Sequence, residues 1–387
     1  MTKIIWSIGF RPFFLFGSLS GVLLIVYWSL AFFTGDLPAL YFDAISWHAH
    51  EMLYGFTIAI IAGFLLTASA NWTATRPLSG QKLTGLFILW LSGRILFALA
   101  LLGVPLPVWL ISLVDVLFLP ILLLALAPPL IKAKQLRNLQ FLPVLALLSI
   151  GNLLTHLGAL EVVSPTMGTK GIYLGLDLIL IIMIIIGGRI VPAFTGNALK
   201  GVQVKTWYWV ENSVMVSVWL FVLLDFLEEG TGISAWVSLA AGILNFVRLS
   251  GWGWQKTQGT PLLWVLHLGY LWICLGFVLV FLSDYFGLLP RSVSIHAFTA
   301  GAMGTFIIGM ISRVSLGHTG RVMQLPRGFV AAYYCVSLGA LSRVVSGFAP
   351  EWYGEGILIS GLLWALGFAL FILFYSRILL SPRANRA

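Results

Sequence analysis

Charge is what this sequence is short of. Its 387 residues include 22 Lys and Arg and 13 Asp and Glu, 9% of the chain, where soluble domains average about 25%. With 60% hydrophobic residues and a mean hydropathy of +1.00, the chain cannot cover a water-facing surface, so a soluble globular protein is excluded. The formal charge of +9 does not point to nucleic acid, because Lys and Arg are scattered in short clusters between apolar runs rather than gathered on one face. Cysteine is scarce as well: Cys274 and Cys335 both lie inside apolar runs. No CxxC or CxxCH string is present, which excludes a disulfide framework, a thiol redox motif and c-type haem attachment. The first apolar run is about 20 residues long, beyond a signal-peptide h-region, and is expected to be a retained helix.

Long apolar runs are what the chain has in quantity. A transmembrane helix takes about 20 mostly apolar residues, and twelve runs qualify, near 13–33, 46–70, 83–102, 106–130, 141–161, 168–190, 206–226, 233–251, 261–284, 292–315, 328–347 and 354–380. The connections leave no room for a separate soluble domain. Residues 1–387 are therefore expected to form one all-α, polytopic membrane helix bundle in up-and-down order. No internal repeat is evident. Counted alternately, Lys3, Arg11, Arg76, Lys82, Lys132, Lys134, Arg137, Lys200, Lys205, Lys256, Arg321, Arg327, Arg383 and Arg386 fall on one side. The other side holds Lys170 and Arg291 among Asp36, Asp43, Glu228, Glu229, Asp284, Glu351 and Glu355. By the positive-inside rule both termini are expected in the cytoplasm.

Ionisable side chains inside spans are costly and tend to mark function. Here they are His48, His50, Glu51, Arg94, Asp115, His156, Asp177, Glu211, His267, His296, Arg313 and Arg343. At 1.5 Å per residue, Arg94 and Asp115 both lie about 12–14 Å deep on adjacent antiparallel helices. A buried ion pair is expected of them, with a proton or substrate path as the alternative.

The six histidines sort into two layers. His48, His50, His156 and His296 lie within about 7 Å of the outer boundary. His267 lies about 9 Å from the inner one, and His318 is expected in the loop after the tenth helix. Imidazole binds haem iron and copper well, and two layers would suit two metal centres; single hydrogen-bonded structural histidines are the plainer reading. In Trp47-His48-Ala49-His50-Glu51-Met52, the two histidines point about 200° apart on an ideal helix, so they are expected to face different partners. His48 and Glu51 share a face, and Glu51 could orient a ligand, bind a metal or carry protons. An outer metal or haem site is expected from His48, His50 and His296. On the inner side His267 and His318 could flank one haem, with Arg313 and Arg321 meeting its propionates.

Taken together, several segments resemble the NnrS family of bacterial membrane proteins. They are Phe10-Arg11-Pro12-Phe13-Phe14, the Trp47–Met52 string, Gly63-Phe64-Leu65-Leu66-Thr67, Asn71-Trp72-Thr73, Gly187–Thr195, His267, the His296 helix and Gly317-His318-Thr319-Gly320-Arg321. The resemblance runs in order over nearly the whole chain. It implies a haem protein of the bacterial cytoplasmic membrane, with haem b and copper as cofactors, linked to nitric oxide metabolism and nitrosative stress. It implies that His48, His50, His267, His296 and His318 are the ligands. It does not settle the reaction. Three functions follow as expectations. One is a haem enzyme that handles nitric oxide or a related diatomic, with Glu51 supplying protons and an electron donor yet to be identified. Another is a non-enzymatic haem protein that binds nitric oxide or passes electrons. The last is a transporter of a metal or small anion along Arg94, Asp115 and Asp177. Membrane lipid is an expected partner and nucleic acid is not.

Overall fold

The computed structural model describes residues 2–37, 40–227 and 232–384; Glu228, Glu229 and Arg386 lie outside them. Among the described residues there is helix and no strand. That is the outcome lipid demands, since a helix satisfies its backbone donors and acceptors within one segment. Twelve helices are long and apolar enough to cross a membrane: α1 Phe10–Thr34, α2 Ala44–Thr73, α3 Gly80–Leu101, α4 Val108–Lys132, α5 Leu136–Ala159, α6 Pro165–Ala198, α7 Tyr208–Leu227, α8 Gly232–Ser250, α9 Pro261–Asp284, α10 Arg291–His318, α11 Val330–Phe348 and α12 Pro350–Leu380. They answer the twelve apolar runs one for one. The chain is a multi-pass membrane protein. One boundary differs from expectation: α10 remains helical through His318. The chain turns only at Gly320, whose φ of +73° is open to glycine and strained for other residues.

Two spans are not α-helical throughout. In α2 a π-helical stretch, Glu51–Thr57, follows directly on His50, and in α10 another, Ala297–Met303, follows directly on His296. Thr57 Oγ1 donates to the Met52 carbonyl five residues back at 2.8 Å. Both spans place glycine five and thirteen residues after the histidine, Gly55 and Gly63 in one, Gly301 and Gly309 in the other. Glycine there admits bulk from a neighbouring helix. A Cβ at Gly55 would strike the Arg94 guanidinium, and one at Gly301 the Trp272 ring. π-Helical turns concentrate at functional sites, and this recurrence is one that hydropathy alone does not display.

The chain gathers into two compact units. The first holds Met1–Leu178, Ser315–Val322 and Ile372–Ala387; the second holds Ile179–Val314 and Met323–Phe371. In the first, α1 packs on α2, α3 on α4 and α4 on α5. An aromatic cluster of Trp28, Phe42, Trp47 and Phe97 with Ile111 fills the end of this unit where α2 begins. In the second, α7 packs on α8, α8 on α9 and α9 on α10.

Candidate metal centre

The start of α2 is fixed by Asp43, whose Oδ1 accepts from the backbone N–H groups of Ile45 and Ser46, each at 3.0 Å, as an N-cap. The next turn presents His48 and His50 on different faces. His48 is half-buried and stacks on Trp28, ring centroids 4.3 Å apart. His50 is fully buried and enters a polar group inside the first unit, built by four helices and one loop.

Asp115 of α4 is its hub. His50 Nε2 lies 3.0 Å and His156 Nε2 3.1 Å from Asp115 Oδ2, and Asn152 Nδ2 donates to the same oxygen at 2.9 Å. Arg94 of α3 donates from Nη2 to Asp115 Oδ1 and from Nη1 to Glu51 Oε1, the latter at 2.5 Å. Glu51 Oε1 is also 3.2 Å from His50 Nδ1, and Asn152 Oδ1 is 3.0 Å from His50 Nε2. The Tyr41 hydroxyl is 3.0 Å from His156 Nδ1. Burial pushes this phenol above its usual range, so it stays protonated; the contact can run either way, the phenol donating when His156 Nε2 carries the N–H toward Asp115 and accepting when Nδ1 carries it.

Proton counting shows what the group lacks. A neutral imidazole has one N–H, yet His50 faces acceptors on both edges: Asp115 and Asn152 at Nε2, Glu51 at Nδ1. With neutral rings, one guanidinium also meets two carboxylates. Burial makes such an imbalance costly. One further positive charge closes both deficits, as a proton shared between His50 and Glu51 or as a metal ion. The ligand atoms of His50, Asp115 and His156 all lie within 4.8 Å of one another, so shifts of a few tenths of an ångström would close them on one ion at the usual bonds of about 2.0–2.2 Å. With Nε2 turned to a metal, each ring's Nδ1–H has an oxygen to accept it, Glu51 Oε1 or the Tyr41 hydroxyl, as ligating histidines require. The three residues can hold a metal. A cavity of about 10 Å³ beside Asp115 and Asn152, walled by Tyr54 and Trp90, is large enough for one water.

Two other histidines suit axial haem ligation by a different criterion. His267 Nδ1 is 3.0 Å from the Leu263 carbonyl, and His296 Nδ1 is 2.6 Å from the Ser292 carbonyl. Each is a bond to the residue four positions back. It places the proton of the neutral ring on Nδ1 and the lone pair on Nε2, the arrangement of a metal-binding imidazole. His267 Nε2 lies 3.5 Å from Thr195 Oγ1, but that hydroxyl donates to the Val191 carbonyl.

The structure thus brings together Glu51, His50, Arg94 and Asp115. It turns His48 toward Trp28 and away from His50. His267, His296 and Arg313 belong to the second unit, His318 and Arg321 to the first. The Arg313 guanidinium sits 3.8 Å over the Phe194 ring, and the His318 ring is 5.7 Å from that of Phe10. His156, noted for its depth and then set aside, is a full member of the group. Asn152 went unnoticed although it lies one turn before His156 on the same helix face. Tyr41 sits in a loop and carries no periodic signal.

Set against known proteins, the sequence model of one family, described as NnrS protein, matches residues 4–383. The chain belongs to the NnrS family. No curated protein matches it in sequence. Among solved structures this NnrS-family chain is similar to the protein of "Cryo-EM structure of a heme-copper terminal oxidase dimer provides insights into its catalytic mechanism", with a TM-score of 0.69 over 100% of this chain and 85% of that one, at 14% identity. At that identity the likeness is one of fold.

Proposed function

We propose that this protein is a haem-binding, copper-capable component of the bacterial cytoplasmic membrane that handles nitric oxide or a related diatomic. Family membership and a fold like that of a heme-copper terminal oxidase support the reading. The observation that carries it is the buried His50–Asp115–His156 group, one positive charge short. Copper suits that donor set. Haem b suits His267 and His296, whose Nδ1 protons are bound to backbone carbonyls, and the family resemblance adds His48 and His318. Haem iron supplies a coordination position for a diatomic and the means of passing electrons to it.

The protein's own part is to exclude water and hold protons. Phe42 and Phe97 flank His50 at 5.2 and 5.3 Å between ring centroids, which shields the group from bulk water. Glu51 and His50 hold one proton between Oε1 and Nδ1, and Arg94 fixes the Glu51 carboxylate from the other side. That makes Glu51 the proton supplier. Charge segregation between the two sets of connections supports cytoplasmic termini at both ends.

The test is the reduced-minus-oxidised visible spectrum of the purified protein with iron and copper analysis. Haem bands that shift on adding nitric oxide are expected, with His267→Ala or His296→Ala lowering haem content and His156→Ala lowering copper but not haem. A protein free of both metals refutes the proposal. Haem bands that ignore nitric oxide and carbon monoxide would favour electron transfer instead.

A further inference from the structure

The first unit contains a second cluster of chemistry, far along α1 from the metal centre, where the start of α1 meets the ends of α10 and α12. Arg11 of α1 is 4% exposed. Its Nη1 donates to the Ser381 carbonyl at 2.8 Å and to the Leu379 carbonyl, closing the last turn of α12. Its Nε is buried with no partner. The neighbouring Phe10 ring packs against His318, and Arg11 lies close enough to Arg321 for the two charges to repel. Arg321 Nη1 is also buried without a partner. Arg383 joins from the segment after α12, where the Ala384 N–H donates to the Thr319 carbonyl at 2.8 Å. A Cβ on Gly320 would lie 3.2 Å from Arg383 Cγ. Two sequence motifs some 300 residues apart, Phe10-Arg11-Pro12 and Gly317–Arg321, are thus brought to one place.

Among the described residues of the first unit no carboxylate stands there to neutralise it. The first unit has six, Asp36, Asp43, Glu51, Asp115, Glu161 and Asp177. Asp36 and Asp43 follow the far end of α1, about 36 Å along the helix from Arg11. Glu51 and Asp115 are bound by Arg94. Glu161 follows the far end of α5, and Asp177 sits well inside α6. A buried guanidinium that lacks an anion, as Arg11 does among the described residues, is strongly disfavoured, so an anion from outside them is called for. Three guanidiniums and an imidazole exceed what one carboxylate, with two oxygens, can accept. A phosphate group, with three or four oxygens, matches them. Arg383 is exposed, so the site opens to the boundary layer, where basic pockets between helices take anionic head groups.

We infer that Arg11, His318, Arg321 and Arg383 form a binding site for a phosphate-type oxyanion, either the phosphodiester of an anionic lipid or free phosphate. The inference competes with the haem reading for His318, and Arg11, Arg321 and Arg383 carry it without that ring. The test follows the Tm of the full-length protein, first in detergent with inorganic phosphate replacing chloride at constant ionic strength. It then compares phosphatidylcholine nanodiscs with and without phosphatidylglycerol. Phosphate or phosphatidylglycerol should raise Tm, and the first pair identifies a soluble ligand, the second a lipid. Arg321→Gln and Arg383→Gln should weaken the response about tenfold or more, while Lys3→Gln, at the same end but outside the cluster, should leave it intact. Equal responses in wild type and both arginine variants would overturn the site. So would an unchanged anion response with reduced haem content in Arg321→Gln, which would give that guanidinium to the cofactor's carboxylates.

Discussion

Two buried arginines, Arg94 on α3 and Arg248 on α8, meet the same problem and end differently. Each presses its guanidinium against a glycine of a neighbouring helix, Gly55 and Gly188, where a Cβ would collide with it. Each nitrogen of Arg248 has a partner. Its Nε donates to Glu211 Oε1 at 2.8 Å and its Nη2 to Oε2; its Nη1 donates to the Ile184 carbonyl at 3.0 Å and to the Tyr270 hydroxyl at 2.9 Å. The Tyr270 proton goes on to Asn245 Oδ1 at 2.5 Å. One cation meets one anion, and the Glu211 side chain is 32% exposed. Around Arg94 one cation meets two anions, its Nε has no partner, and two imidazoles adjoin. A balanced group of this kind joins helices. An unbalanced one is open to a proton or a metal, so charge closure separates the clamp from the site.

The largest effect that would break this contrast comes from Arg94 itself. Arg94→Leu leaves Glu51 and Asp115 buried without their shared cation, at about 3–5 kcal/mol. Folded yield by size-exclusion chromatography should collapse, and adding Asp115→Leu should recover much of it. A double variant as damaged as the sum of the singles would mean the two residues do not act as a pair.

Next come the glycines. Gly55→Ala and Gly188→Ala should each cost about 1–3 kcal/mol by overpacking, read as similar losses of Tm. Only Gly55→Ala should also lower bound metal, because only Arg94 orients the centre. Metal loss in both would erase the distinction.

A smaller change sharpens it. Tyr41→Phe removes the hydroxyl that holds His156 Nδ1 and should lower metal affinity about 10–100-fold at about 1 kcal/mol of stability, by metal titration and melting. The matching change at the clamp, Tyr270→Phe, should cost similar stability and leave metal affinity unaltered.

Much of this arrangement was legible before folding was considered. The twelve spans follow from apolar length, and the Arg94–Asp115 proximity follows from equal depth at 1.5 Å per residue. His48 and His50 were separable because two residues turn a helix by about 200°. What the sequence could not display was partner identity across helices. Arg248 lies at the last turn of α8, where a basic residue looks like ordinary boundary anchoring, and its contact with Glu211 depends on how α7 packs against α8. Tyr41 reaches the centre from a connection whose path no periodicity describes. The loop expected at His318 is helix because the glycine that breaks the chain is Gly320, not Gly317.

The π-helical stretch after His50 has a consequence for numbering itself. A π turn accommodates one residue more than an α turn, so Glu51–Thr57 works as a spacer that sets the angle between the two halves of α2. Deleting one residue there would leave hydropathy, charge and length nearly unchanged. The stretch would close as ordinary α-helix and the faces on either side would keep their register, so His50 would stay in its polar pocket and only the widened backbone turn after it would be lost. The same deletion further along, within Ile58–Thr73, would instead turn the two ends of α2 against each other by about 100°, so the π stretch is where this span has a residue to spare.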